Sequence, residues 1–173
     1  MTRTPALAAA WALMVLGAAP AAAAAPAPRV SISSYAELRT PLPYPYDEQA
    51  DANAAVAAAR ARARAGHKRL LIDLGGNWCA DCRILAATLE LPEVRAFVAA
   101  HYELVAVDVG RFDRNLQIPA RYGITSRLEG VPSLLVVDPR SDRLLNGGRV
   151  SALADARSMT PQALADWLAQ WTP

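Results

Sequence analysis

The only two cysteines of the chain stand two residues apart, in "RLLIDLGGNWCADCRILAATLEL", where a short apolar run meets a glycine pair and then a segment with helical spacing. This order predicts a strand over 70–74, a tight turn, and a helix from the cysteines to about residue 89. A C-x-x-C step at a helix start places both sulfurs on the same side of the first turn, near enough to bond. The first sulfur then meets the positive end of the helix dipole, where a thiolate is favoured over a thiol.

Three readings of Cys79 and Cys82 compete. As a structural staple the pair would close a loop of roughly four residues, restricting the unfolded chain by only about 2 kcal/mol, against about 3 kcal/mol for a fifteen-residue loop. As a metal site it needs two more ligands. The candidates, His67 and His101, lack metal-ligand spacing to the pair and read as partly exposed polar residues, so no metal is expected. Redox exchange is the reading that uses the position, and it requires no prosthetic group.

The first residues place this chemistry. "MTRTPALAAAWALMVLGAAPAAAAAPAP" offers one basic residue, Arg3, an apolar stretch over about 6–18, then small residues and prolines with several A-x-A sites. It predicts a secretory leader over 1–25, cleaved between 23 and 27. An uncleaved anchor is the alternative, against which Pro20 and the weak apolarity of alanine argue. The expected destination is an oxidising compartment, the bacterial periplasm, where a cysteine pair persists as a disulfide. The formal charge of +2, from 18 basic and 16 acidic residues, excludes nucleic acid as an expected partner.

After the leader, residues 26–46 are punctuated by proline and read as a wrapping arm. The Pro-Tyr-Pro-Tyr portion is the alternative signal of a polyproline ligand. Residues 47–66 place acids first, arginines last and a glycine at the end, the charge order of a helix. Arg60, Arg62 and Arg64 fan around it as a solvated face. Beyond the cysteines come a short helix from Pro92, a strand in "YELVAVDVG", a loop with a short helix in "RNLQIPARYG", and strands in "SLLVVDP" and "DRLLNGGRV". A last helix opens on Thr160 and Pro161. Strands alternating with helices, then a hairpin and a helix, predict an α/β sandwich around a mixed sheet, one domain over 47–173 with its core at 69–171.

Asp73 follows from the same pattern. Inside "LLIDL" a strand covered on both faces buries it, and an isolated buried carboxylate takes up a proton rather than stay charged. A poised acid close to the pair is what proton transfer to or from Cys82 requires. A partnered structural carboxylate is the alternative.

"LLIDLGGNWCADCR", the later "RYGI" and the "GVPSLLVVD" strand together resemble the thioredoxin superfamily, over about Arg69 to Trp171. The run "RILAATLELPEVRAFV" is most similar to the exported thioredoxin-like reductases and to the thioredoxin-like terminal domain of transmembrane electron-relay proteins. The resemblance implies a thioredoxin-like sandwich with an added N-terminal arm and helix, acting as a thiol–disulfide oxidoreductase. It implies Cys79 as the attacking and Cys82 as the resolving cysteine, Asp73 as the buried acid, and Trp78 as the aromatic that covers the active-site turn. Ala80, Asp81 and Arg83 complete the turn and its basic flank. Pro132 matches the cis-proline whose loop faces the cysteines, and Val131 before it would offer its main chain to an extended peptide. The implied partners are protein thiols and disulfides and a membrane electron-relay donor, with the chain a monomer.

Four features depart from the cytosolic pattern. "TSRLE" (125–129) lengthens the connection beside the expected groove. "LVAVDV" has no lysine to pair with the buried acid. "GGN" precedes the cysteines and reads as flexible. Asp81 sits beside the thiolate and disfavours its charge, which points to a reductase or relay partner and away from an oxidase; an isomerase is not expected because the sequence shows no separate dimerisation region. The rival from another class is a binding module that uses the proline groove with an idle cysteine pair; Trp78, Asp73 and Arg83 keep the redox pattern and speak against it.

Overall fold

A computed structural model describes residues 24–173, so the expected leader lies, up to residue 23, outside the described residues. The helices are α1 (Ala52–Ala65), α2 (Ala80–Leu89), α3 (Pro92–His101), α4 (Gln117–Ala120) and α5 (Pro161–Ala169). The strands are β1 (Arg69–Gly75), β2 (Tyr102–Asp108), β3 (Ser133–Asp138) and β4 (Arg143–Leu144), with 3-10 turns at Tyr35–Glu37 and Ala156–Ser158.

The strands form one mixed sheet in the order β2-β1-β3-β4. β1 runs parallel to β2 and antiparallel to β3, and β3 is antiparallel to β4. The apolar run that carries Asp73 is thus the inner strand, buried from Leu70 to Gly75. Its side chains alternate between two cores. Leu70, Ile72 and Leu74 pack with Val56, Ala59 and Ala63 of α1, whereas Leu71 packs with Leu85, Phe97, Leu164 and Leu168 of α2, α3 and α5.

α1 starts at Ala52 rather than at 47, because the Asp51 carboxylate accepts from the Ala54 N–H and caps the first turn. Its arginines are not a purely solvated face. Arg60 pairs with Asp142 at 3.1 Å and Arg62 with Glu103 at 3.0 Å, tying the helix to the sheet, while Arg64 is exposed.

The fourth strand is shorter than "DRLLNGGRV" suggests. The buried Asn146 substitutes its side chain for a backbone ladder: its Oδ1 accepts from Val136 N–H at 2.9 Å and its Nδ2 donates to the Leu134 carbonyl at 2.7 Å. The chain then turns at Gly148, φ 77°, and returns so that the Val150 carbonyl accepts from Leu134 N–H.

The proline-rich arm is pinned along its length. Ala25 N–H donates to Thr172 Oγ1, Gln162 holds both the Pro28 carbonyl and Val30 N–H, and Ser31 N–H donates to Glu93. Arg83 of α2 donates to the carbonyls of Leu42 and Pro43 and stacks on the Tyr44 ring at 4.0 Å. The arm ends by inserting Tyr46, 3% exposed, into the core against β1.

Candidate active site

The strand–turn–helix unit sets Cys79 at the N-cap of α2, with extended backbone at φ −87° and ψ 117°. Its sulfur does the work of a capping side chain, accepting the Cys82 N–H at 3.1 Å. As a thiol it donates to the Val131 carbonyl at 3.3 Å, which brings the Val131–Pro132 loop onto the cysteines. The Val131–Pro132 peptide bond is cis, as is Thr40–Pro41. Both cysteines are free thiols.

The two sulfurs are not equivalent. Cys79 is 6% exposed and Cys82 fully buried, so an incoming group meets Cys79 first, between the exposed Trp78 and Ala80. A hydrogen bond from the Cys82 thiol lowers Cys79 from an ordinary 9.0 to about 7; burial opposes this, and the Cys82 N–H assists it. The same contact and burial push the Cys82 thiol far up. Charge is thus concentrated on Cys79 and a proton is kept on Cys82.

Asp73 lies behind the pair, 2% exposed. Burial raises its carboxyl to about 7, a hydrogen bond from Tyr46 works against the rise, and the nearby Cys79 adds to it. Its neighbours across the sheet are Ala106 on β2 and Leu134 on β3, so no charged side chain flanks it there. The polar partner comes instead from the arm: the Tyr46 hydroxyl donates to Asp73 Oδ1 at 2.9 Å.

The turn before the cysteines is tightly held rather than flexible. Asn77 Nδ2 donates to the Tyr46 carbonyl at 2.8 Å and its Oδ1 accepts Tyr46 N–H at 3.1 Å. A Cβ on Gly75 would fall 2.3 Å from Tyr46 Oη and 2.8 Å from Cys82 Sγ, and one on Gly76 would fall 2.6 Å from Trp78 Nε1. These glycines are required by close approach, not by freedom of the chain.

Trp78 is 44% exposed and therefore does not serve the core. Its Nε1 donates to the Gly110 carbonyl at 2.7 Å, its ring meets the edge of Phe112 at 6.1 Å, and Arg111 lies over it at 4.8 Å. Residues 125–128 of the longer connection, with Phe112, Leu116 and Pro119, line an open cavity of about 450 Å³.

Asp81 is placed differently from its reading as a free charge beside the thiolate. Burial would raise its carboxyl, but hydrogen bonds from the Arg157 side chain and backbone hold it below the ordinary range. Arg157 Nη2 reaches Asp81 Oδ2 at 2.6 Å, and Arg157 N–H and Nε both reach Oδ1. The remaining histidines sit elsewhere: His67 against Arg140, and His101 against the Phe97 ring at 4.7 Å. Tyr46 and Arg157 are the participants that inspection of the sequence does not find, since their partners lie 27 and 76 residues away with no local motif joining them.

Similarity to known proteins agrees with this arrangement. The profile of the family described as Thioredoxin-like matches residues 51–139. A thioredoxin of Alicyclobacillus acidocaldarius subsp. acidocaldarius is 32% identical over 84 residues, which take in 49% of this chain and 64% of that one, just under two thirds of its length. The crystal structure of a disulphide isomerase from Xylella fastidiosa Temecula1 superposes with a TM-score of 0.68 at 39% identity, covering 75% of this chain and 97% of that one. With its mixed sheet flanked by helices and its cysteine pair at the start of α2, the chain belongs to the thioredoxin-like family.

Proposed function

We propose that the chain is an exported thiol–disulfide oxidoreductase that reduces protein disulfides in the periplasm through Cys79 and Cys82. One observation carries the reading: the more accessible sulfur is the one lowered to about 7, while the sulfur behind it is buried and keeps its proton beside Asp73. The Cys79 thiolate attacks one sulfur of a substrate disulfide, forming a mixed disulfide and releasing the other substrate sulfur as a thiolate. Cys82 passes its proton to the Asp73 carboxylate and attacks Cys79, forming the Cys79–Cys82 disulfide and releasing the second substrate sulfur. The substrate gains two electrons, the protein loses two, and an upstream dithiol must restore the pair.

The reducing direction rests on Cys79 itself. Strong oxidants of this chemistry stabilise the thiolate to a pKa of about 3.5, whereas about 7 is the range of reducing members. Asp81 carries less of the argument, because Arg157 neutralises it. Export is supported by the leader-like residues 1–25 and by the confinement of both thiols to the site. Val131 and Pro132 form the side of the site on which an extended peptide would pair.

Trapping tests this. Cys82→Ser leaves Cys79 without its resolving partner and is expected to accumulate mixed disulfides with periplasmic proteins, while the wild type reduces insulin. No trapped protein together with no insulin reduction would end the reading and favour a binding module with an idle pair.

Isomerisation is a second reading, favoured by 39% identity to the Xylella disulphide isomerase over nearly all of that chain. There the same Cys79 attack is reversed by a different substrate thiol, with no net electron transfer. Cys82→Ser would then retain repair of scrambled ribonuclease while losing insulin reduction.

A further inference from the structure

The arm delivers one polar atom to the interior of the site, and nothing in the reduction scheme above uses it. Tyr46 Oη lies 2.9 Å from Asp73 Oδ1, and the missing Cβ of Gly75 leaves the space into which both Tyr46 Oη and Cys82 Sγ project. The groups facing Asp73 are few. Cys79 and Cys82 come from α2, Tyr46 comes from the arm, and the strands on either side contribute Ala106 and Leu134. Tyr46 is also held from two directions, since Asn77 clamps its backbone and Arg83 fixes the preceding carbonyls of Leu42 and Pro43.

We infer that Tyr46 is a positioning residue through which the N-terminal arm controls the transfer of the Cys82 proton to Asp73. This rests on the reductase reading for its consequence in turnover, but not for the contact itself. A phenol hydroxyl that donates to one carboxylate oxygen stabilises the charged form and turns that carboxylate in a fixed direction. With no cation beside the acid among the described residues, this donor decides how much of Asp73 is ready to accept a proton near neutral pH. The arm becomes part of the redox centre, so a loosened arm slows resolution of the mixed disulfide without touching Cys79.

The test uses Tyr46→Phe in the full mature chain, which keeps the ring that fills the core and removes only the hydroxyl. The Asp73 carboxyl is followed by carbon NMR against pH in the reduced protein, and insulin reduction is measured over the same range. The expected result is an Asp73 midpoint raised by roughly one pH unit, with reduction at pH 7 slowed about fivefold and restored towards pH 9. In an Asp73→Asn background the same substitution is expected to change nothing further. A folded Tyr46→Phe protein whose Asp73 midpoint stays in place, or an equal slowing in the Asp73→Asn background, would overturn the inference. An Asp73 shift in a protein that reduces no disulfide at any pH would uphold the coupling while ending the reductase reading.

Discussion

Arg157, in the 3-10 turn ahead of the last helix, grips the carboxylate of Asp81, one of the two residues between the cysteines, across 76 positions of sequence. Asp81 still opposes the Cys79 thiolate, and the Arg157 guanidinium offsets that opposition while fastening the N-terminus of α2 to the C-terminal part of the chain. Arg157 also lies close enough to Cys79 for each to favour the charged form of the other.

Arg157→Ala is therefore expected to make Cys79 harder to ionise. Asp81 is left charged and unpaired beside it, so the midpoint of Cys79 alkylation rises by about half a pH unit. Adding Asp81→Asn to the same chain removes the repulsion and brings the midpoint back most of the way. The check is the rate of iodoacetamide labelling against pH for the three proteins.

Asp73 gives the fold a pH dependence of opposite sign to that of an ordinary ion-paired carboxylate. Its folded value, about 7, lies above its ordinary 3.8, so the stability it contributes is complete below about pH 4 and is lost as pH rises towards 7. Asp73→Asn abolishes that loss. Urea unfolding of the reduced proteins is expected to show the variant more stable than the wild type at pH 8, by on the order of 2 to 4 kcal/mol, with the gap closing at pH 4.

Gly75→Ala inserts a methyl group where Tyr46 Oη and Cys82 Sγ already meet, at 2.3 and 2.8 Å from the new carbon. The inner strand cannot withdraw, being paired on both sides, so Tyr46 is displaced and the arm loosens. The expected cost is about 1 to 3 kcal/mol in unfolding free energy. Faster hydrogen exchange and proteolysis over residues 42–46 than in the wild type would report the loosened arm.

What could be read from the sequence divides along physical lines. The inner strand, the cysteine helix and the last helix announce themselves through apolar runs and caps confined to a few neighbours, and Asp73 stands out because a carboxylate interrupts such a run. Tyr46 gives no such sign: an aromatic in a proline-rich arm has a role only once the arm has folded back onto β1. Arg157 is hidden for the same reason, and with it the neutralisation of Asp81. The glycines at 75 and 76 suggest flexibility when read locally, and only the packed side chains above them show that they are demanded by contact. β4 is overread because Asn146 supplies ladder hydrogen bonds from its side chain, a substitution that strand patterning does not reveal.

Disulfide exchange by this chain turns on which sulfur carries the charge. Labelling the reduced protein with iodoacetamide over pH 5 to 10, with the sites resolved by peptide mass, measures it directly. The expected result is modification at Cys79 with a midpoint near 7 and no modification of Cys82 in the folded chain. Equal labelling of both thiols with a midpoint near the ordinary 9.0, or labelling of Cys82 ahead of Cys79, would contradict it.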